Sequence, residues 1–303
     1  MSRRIKIVLN ERAGRRSREF SEKFIHRSFM EIDPSLTVDV SLTQAPRHAT
    51  ELAHQAALDK YDIVVAAGGD GTVNEVVNGL VHTQTPMGVI PNGSGNVFSQ
   101  EMRLTANIRD ACRNVLEGEI HDVDVGQVND RYYIWILGLG IEAKIAYMVN
   151  PTLKKYLGVL AYVVAAARNL FDPGYSLMRI MFDEKEMTFF TFNTIVGNAA
   201  SFDGFLGIRS RYSIMDGYLD VCVLQRKSFL GYLELFLNFL RGRRDYYRFI
   251  DRWGAAHCRV KNLRIETVPS TYYHLDGEVA GKTPVDVKIH PKSLKLILPR
   301  REM

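Results

Sequence analysis

The stretch that decides the fold is Asp62-Ile-Val-Val-Ala-Ala-Gly-Gly-Asp-Gly-Thr-Val-Asn-Glu-Val-Val-Asn-Gly-Leu80. Its first six residues form a continuous apolar run after one acid, the pattern of a strand buried on both faces of a parallel sheet. Glycines then follow at once, and Val73, Val76, Val77 and Leu80 recur at helical spacing. A strand that turns into a helix through Gly68, Gly69 and Gly71 lets another group approach the main chain closely. It also leaves helix-start amides pointing outward with a dipole that favours phosphate. A carboxylate in such a turn would repel bare phosphate, so Asp70 makes sense with a divalent cation between them. The spacing is neither GxGxxG nor Walker A. A tight turn that binds nothing is the plainer reading of the same glycines.

Outward from this stretch, the first third alternates strand and helix. Strands are expected over residues 5–9, 37–42, 62–67 and 87–90, helices over 17–30, 49–58 and 73–80, and a further turn and helix over 94–102. Such alternation predicts an α/β domain with an open, mostly parallel sheet whose ligand site lies at the carboxyl ends of its strands. Near Ile120 the pattern changes. Strands are expected over 122–128, 131–137, 175–182, 187–196, 219–224, 257–266, 272–275, 285–289 and 294–298, with turns at Asn129-Asp130 and residues 183–186. Helices are expected near 141–170 and 229–240. This predicts domains over 1–121 and 122–303, the second mostly antiparallel β, with the last strand free to return to the first.

Of the 303 residues, 46% are hydrophobic and 24% charged, which excludes a disordered or collagen-like chain. Lys and Arg (39) exceed Asp and Glu (34) by five, an excess that allows an anionic partner without demanding one. Cys112, Cys222 and Cys258 are too few and scattered for a disulfide framework or zinc site, and predict a reduced, cytoplasmic setting. The apolar run at 157–167 is about half the ~20 residues a membrane span needs, and the first residues lack a signal-peptide core. Membrane contact, where it occurs, is expected to be peripheral.

The segment Gly68–Leu80 resembles the nucleotide-binding loop of the diacylglycerol kinase catalytic-domain family, which includes bacterial soluble lipid kinases and the sphingosine and ceramide kinases. Other stretches resemble the family's elements in the same order: Asn10-Glu-Arg-Ala-Gly14, Pro91-Asn-Gly-Ser-Gly-Asn96, Asp216-Gly-Tyr-Leu-Asp220 and Leu275-Asp-Gly-Glu278. The chain departs from the pattern at Glu11 (usually proline), Ser94 (threonine), Val97 (often aspartate) and Glu142 (often aspartate). Ser94 keeps the hydroxyl.

The resemblance implies an NAD-kinase-like first domain, ATP as co-substrate and Mg²⁺ as cofactor. It implies nucleotide contacts by Asn10, Glu11, Arg12, Ala13, Gly14, Thr43, Gly68, Gly69, Asp70, Gly71, Thr72, Val73, Asn74, Glu75 and Ser94. It implies a structural Mg²⁺ held by Asp216 with main-chain oxygens of Ser213 and Tyr218, although Met215–Tyr218 also reads as a plain turn. It further implies a late acidic pair that activates the acceptor hydroxyl, with Glu278 the first choice as proton acceptor and Asp276 the second. Without it, Asp276-Gly277 reads as a hairpin turn.

The eight histidines show no metal-ligand spacing. Arg241, Arg243, Arg244, Arg248 and Arg252, interleaved with Tyr246, Tyr247 and Phe249, read as a solvated face or as a surface for anionic lipid headgroups. No nucleic-acid module accompanies them. Residues 156–171 offer apolar surface for acyl chains or a core helix. The expectation is a cytoplasmic, peripherally membrane-associated kinase that transfers the γ-phosphoryl group of ATP, with Asp70 in the catalytic machinery, to a lipid hydroxyl such as that of diacylglycerol. NAD kinase and a non-catalytic nucleotide- or lipid-binding regulator are the alternatives, and a homodimer is left open.

Overall fold

The computed structural model describes residues 2–14, 20–93, 95–148, 174–198, 214–225 and 256–300. In chain order these form β1 (Arg4–Leu9), α1 (Glu22–Ile32), β2 (Thr37–Leu42), α2 (His48–Leu58), β3 (Ile63–Gly68), α3 (Asp70–Leu80), β4 (Met87–Pro91), α4 (Val97–Glu101), α5 (Ile108–Glu117) and β5 (Glu119–Val128). Then follow β6 (Arg131–Tyr133), β7 (Ile136–Gly140), α6 (Ile141–Met148), β8 (Ser176–Phe182), β9 (Lys185–Gly197), β10 (Leu219–Gln225), β11 (Ala256–Val260), β12 (Asn262–Val268), β13 (Tyr272–Leu275), β14 (Glu278–Lys282) and β15 (Val285–Leu298). The chain divides into one unit of Met1–Val125 with Pro291–Met303 and another of Gly126–His290. Strands β5 and β15 both run through the division.

The first unit is built around β3, whose six residues are all buried. It lies between β1 and β4 in a parallel sheet, with Val65 opposite Ile7 on one side and Gly88 on the other. β2 adds beyond β1, and the end of β15 adds parallel beside β4, with Leu296 opposite Met87. One face of the sheet packs Ile7, Val65, Ala67 and Ile90 against Phe29 and Ile25 of α1 and Cys112 and Val115 of α5. Each large apolar side chain sealed here contributes about 1.5–3 kcal/mol. Ser21 caps α1, accepting the N–H of Phe24 at 3.4 Å, so the helix starts later than its apolar spacing suggests. Helix α5 adds to the expected elements: Ile108, Ala111, Cys112 and Val115 recur at helical spacing behind Asn107, whose side chain accepts the Asp110 N–H at 3.2 Å.

The second unit is antiparallel, in the order β14-β13-β7-β9-β8-β12 and the start of β15; β10 pairs with β9 and β11, and β5 with β6. Its core includes Leu137, Leu139, Ile180, Val196, Val221, Ile265, Leu275 and Val287. Asp183 and Glu184, at φ +46° and +60°, form the two-residue turn that joins β8 to β9, with Phe182 opposite Lys185.

Three strand expectations are corrected. Residues 131–137 are not one strand: β6 pairs with β5, and the backbone leaves at Ile134–Trp135 so that β7 can pair with β9 and β13. Residues 257–266 divide at Lys261, because β11 follows β10 while β12 moves between β8 and β15. Residues 285–289 and 294–298 are one strand. Lys292 sits within it at φ +50°, its N–H donating to buried Asp124 at 2.8 Å, so the gap expected at 290–293 is a local distortion inside one strand. The expected helix over 141–170 is described only as α6, and that over 229–240 lies outside the described residues.

Candidate functional site

In the first unit, the carboxyl ends of β1, β3 and β4 carry the turns Asn10–Gly14, Gly68–Gly71 and Pro91–Asn96, which are tied to one another. The Asn10 N–H donates to Ala67 O at 2.9 Å, and its Nδ2 donates to Thr72 Oγ1 at 3.1 Å. The Asn92 N–H donates to Gly68 O at 2.7 Å, and its Nδ2 to Ala13 O at 2.9 Å. Two asparagines thus fasten three turns. The approach is close enough to require glycine: a Cβ on Gly93 would lie 2.7 Å from the Gly69 Cα, and one on Gly14, at φ +67°, would lie 2.1 Å from Asn92 O.

Gly69 is the residue before α3 and supplies no side-chain cap. The first-turn amides of α3 therefore gain no cap from Gly69, and the helix dipole stands behind them. This arrangement suits a chain of phosphates.

The acids of this stretch are partly committed elsewhere. Asp70 accepts the N–H of Val97 through Oδ2 and that of Phe98 through Oδ1, both at 3.2 Å, and so caps α4. Glu75 accepts the N–H of Arg47 at 2.9 Å and of Ala49 at 3.1 Å, capping α2. Val73 and Asn74 are buried, as is Thr72. Glu11 and Arg12 are exposed, and the Arg12 N–H donates to Asn10 Oδ1 at 3.1 Å. Thr43 directly follows β2, its N–H donating to Leu9 O at 2.9 Å. Ser94 lies outside the described residues.

In the second unit, Asp276 and Gly277 occupy the two central positions of the β13–β14 hairpin at φ +49° and +90°, with Leu275 opposite Glu278. Asp276 is 6% exposed. Its carboxylate accepts the N–H of Ile134 at 3.0 Å, Trp135 at 3.0 Å and Ile136 at 2.9 Å. The chain break between β6 and β7 is therefore fastened by an acid about 140 positions away. Burial first, then the Asp276 charge, hold the neighbouring Tyr133 hydroxyl well above its usual range. Glu278 is different. Its side chain is half exposed, and its Oε2 lies 3.9 Å from Arg131 Nη2.

Asp216 precedes β10. Its Oδ1 accepts the Tyr218 N–H at 3.1 Å, and its Oδ2 takes Arg259 Nη2 at 2.6 Å. Ser213 lies outside the described residues, as do the arginines at 241–252 and the segment 156–171. Among the described residues no group of three or more His, Cys, Asp and Glu could hold a metal ion. A Mg²⁺ in the first unit would thus rely on Asp70 and on the phosphates it accompanies. The donors around Asp216 do not fit one, because a guanidinium already sits on that carboxylate.

Arg131 and Arg259 are the neighbours that sequence reasoning missed. Neither lies near its acid in the chain, so only the strand register could have revealed them: Arg259 stands opposite Asp220 in the β10–β11 pair.

Residues 4–128 match the diacylglycerol kinase catalytic domain family, and residues 136–298 match the YegS C-terminal NAD kinase beta sandwich-like domain family. A protein of Bacillus subtilis named diacylglycerol kinase is 27% identical over 304 residues, covering 99% of this chain and 98% of its own length. An uncharacterized protein of Synechocystis sp. is 31% identical over 237 residues, 78% of this chain; the match spans 54% of that longer protein. The crystal structure of a diacylglycerol kinase from Bacillus anthracis is similar with a TM-score of 0.75 and 22% identity, covering 98% of this chain and 97% of that one. That likeness is one of fold.

Proposed function

This chain belongs to the diacylglycerol kinase catalytic-domain family and carries a YegS-type β-sandwich-like domain, and we propose that it transfers the γ-phosphoryl group of ATP to the hydroxyl of diacylglycerol or a similar lipid. The observation that carries this reading is the cradle of three glycine turns at the start of α3, tied by Asn10 and Asn92 and packed too closely for a side chain at Gly14 or Gly93. Phosphoryl transfer asks a protein mostly for positioning and charge neutralisation. The Gly68–Thr72 turn supplies the first, with Asn10–Gly14 and Pro91–Asn96 bracing it. Mg²⁺, when bound with the nucleotide, supplies the second, and Asp70 is the side chain that would hold it.

A lipid hydroxyl is a weak nucleophile at neutral pH, so a carboxylate should take its proton as the new phosphorus–oxygen bond forms and the bond to the β-phosphate breaks. Glu278 is assigned that role. Asp276 spends its oxygens on three backbone amides and positions the hairpin that carries Glu278. Peripheral attachment to anionic lipid through the arginines at 241–252 completes the proposal. Among the described residues no helix is long and apolar enough to cross a membrane.

The test is incubation of purified protein with γ-labelled ATP, Mg²⁺, a panel of lipids and NAD. Label in a lipid supports the proposal. Label in NAD alone would assign the chain to the other kinase chemistry, and label in neither would leave a binding protein.

A further inference from the structure

The resemblance places a structural Mg²⁺ on Asp216, and the geometry points to a different cation. We propose that Arg259 replaces that metal, so that the turn before β10 is held by a guanidinium built into the chain. Arg259 stands opposite Asp220 in the β10–β11 register and reaches back to the turn. Its Nη2 lies 2.6 Å from Asp216 Oδ2, and its Nε lies 3.7 Å from Asp220 Oδ1. One side chain therefore bridges two carboxylates four positions apart, as a divalent ion would.

The guanidinium also lies over the Tyr218 ring, 4.6 Å from its centroid, with Lys261 Nζ at 5.2 Å from the same ring. His257 Nε2 is 3.1 Å from Asp220 Oδ1, adding positive charge when protonated. The other Asp216 oxygen accepts the Tyr218 N–H.

Mg²⁺ demands near-octahedral oxygen ligands at about 2.0–2.1 Å. A guanidinium nitrogen within hydrogen-bond reach of the Asp216 carboxylate, the side chain that the resemblance offers to the ion, opposes it by volume and by charge. The nearby lysine adds to that repulsion. The consequence is a division of labour: this turn is formed without metal, and any Mg²⁺ requirement of the protein belongs to the phosphates it binds. The inference does not depend on the kinase reading, because it is read from stability.

The experiment is thermal melting of the full chain without nucleotide, in EDTA and in saturating Mg²⁺. The wild-type protein should melt at the same temperature in both, at matched ionic strength. Arg259→Lys, which keeps a cation, should share that indifference. Arg259→Gln should melt several degrees lower in EDTA and regain part of the loss in Mg²⁺, since the Asp216 carboxylate then loses the guanidinium that neutralises it. A wild-type melting temperature that rises with Mg²⁺, with the rise lost in Asp216→Asn, would overturn the proposal. So would an Arg259→Gln protein that melts with the wild type in EDTA. Should Arg259→Gln fail to fold, the wild-type and Asp216→Asn measurements still decide it.

Discussion

Replacing Asp276 by Asn should destabilise the second unit before it affects any chemistry. The carboxylate accepts three backbone N–H groups, with Trp135 and Ile136 on Oδ1 and Ile134 on Oδ2. Asparagine offers one acceptor oxygen. If that oxygen keeps Trp135 and Ile136, its Nδ2 meets the Ile134 N–H donor to donor. Losing a hydrogen bond to a charged group costs about 1.5–3 kcal/mol. The two that remain weaken by roughly half when their acceptor becomes neutral. The sum is about 3–6 kcal/mol, or a melting temperature lower by about 10 °C in a unit of this size. Asparagine tolerates the positive φ of this position, so backbone strain does not confuse the comparison. The chain has two tryptophans, and Trp135 lies at the clamp. Its fluorescence, followed in a Trp253→Phe background, reports on the unit directly. An Asp276→Asn protein that melts with its parent yet has lost turnover would refute the clamp and make Asp276 the proton acceptor.

Further outcomes follow from the same geometry. Gly93→Ala places a methyl group 2.7 Å from the Gly69 Cα, so nucleotide binding measured by calorimetry should weaken at least tenfold, about 1.4 kcal/mol; unchanged affinity would separate the cradle from the nucleotide. Burial pushes the Cys112 thiol up to about 12 from 9.0, so its contribution is fully present below pH 9 and is lost as the pH rises toward 12. That loss is about 4 kcal/mol at its limit; urea unfolding should therefore show a shallower alkaline decline in Cys112→Ala, and parallel declines would contradict the assignment. Binding to anionic vesicles should weaken with salt and with Arg243→Glu plus Arg244→Glu, since exposed charges are screened beyond ~8 Å at physiological ionic strength; sedimentation that ignores both changes would leave those arginines a solvated face.

The parallel half of the fold was legible because its signals are local. The buried run of β3, the glycines after it and the apolar spacing of α3 all lie within 18 residues of one another. The same is true of the Asp183-Glu184 hairpin and of α5, whose pattern was present and passed over. What was not legible depends on partners far along the chain. Nothing in residues 131–137 announces that Asp276 will take three of their amides, and nothing near Lys261 announces a change of neighbouring strand. The site divides in the same way. The glycine turns could be read from their composition, because only glycine permits their approach. The work of Glu75 in capping α2, and of Arg259 in holding Asp216 from 43 residues away, follows from tertiary placement alone.

The proposed transfer of phosphate from ATP to a lipid hydroxyl, in which the Gly68–Thr72 cradle holds the nucleotide and Glu278 takes the proton, can be measured directly. The direct measurement is transfer of label from γ-labelled ATP into organic-extractable diacylglycerol product, by the wild type and by folded Asp70→Asn and Glu278→Gln. The account predicts Mg²⁺-dependent labelling by the wild type, a loss on the order of 10²-fold or more in each variant, and retained ATP binding in Glu278→Gln. Full labelling by Glu278→Gln, or label that enters NAD and no lipid, would contradict it.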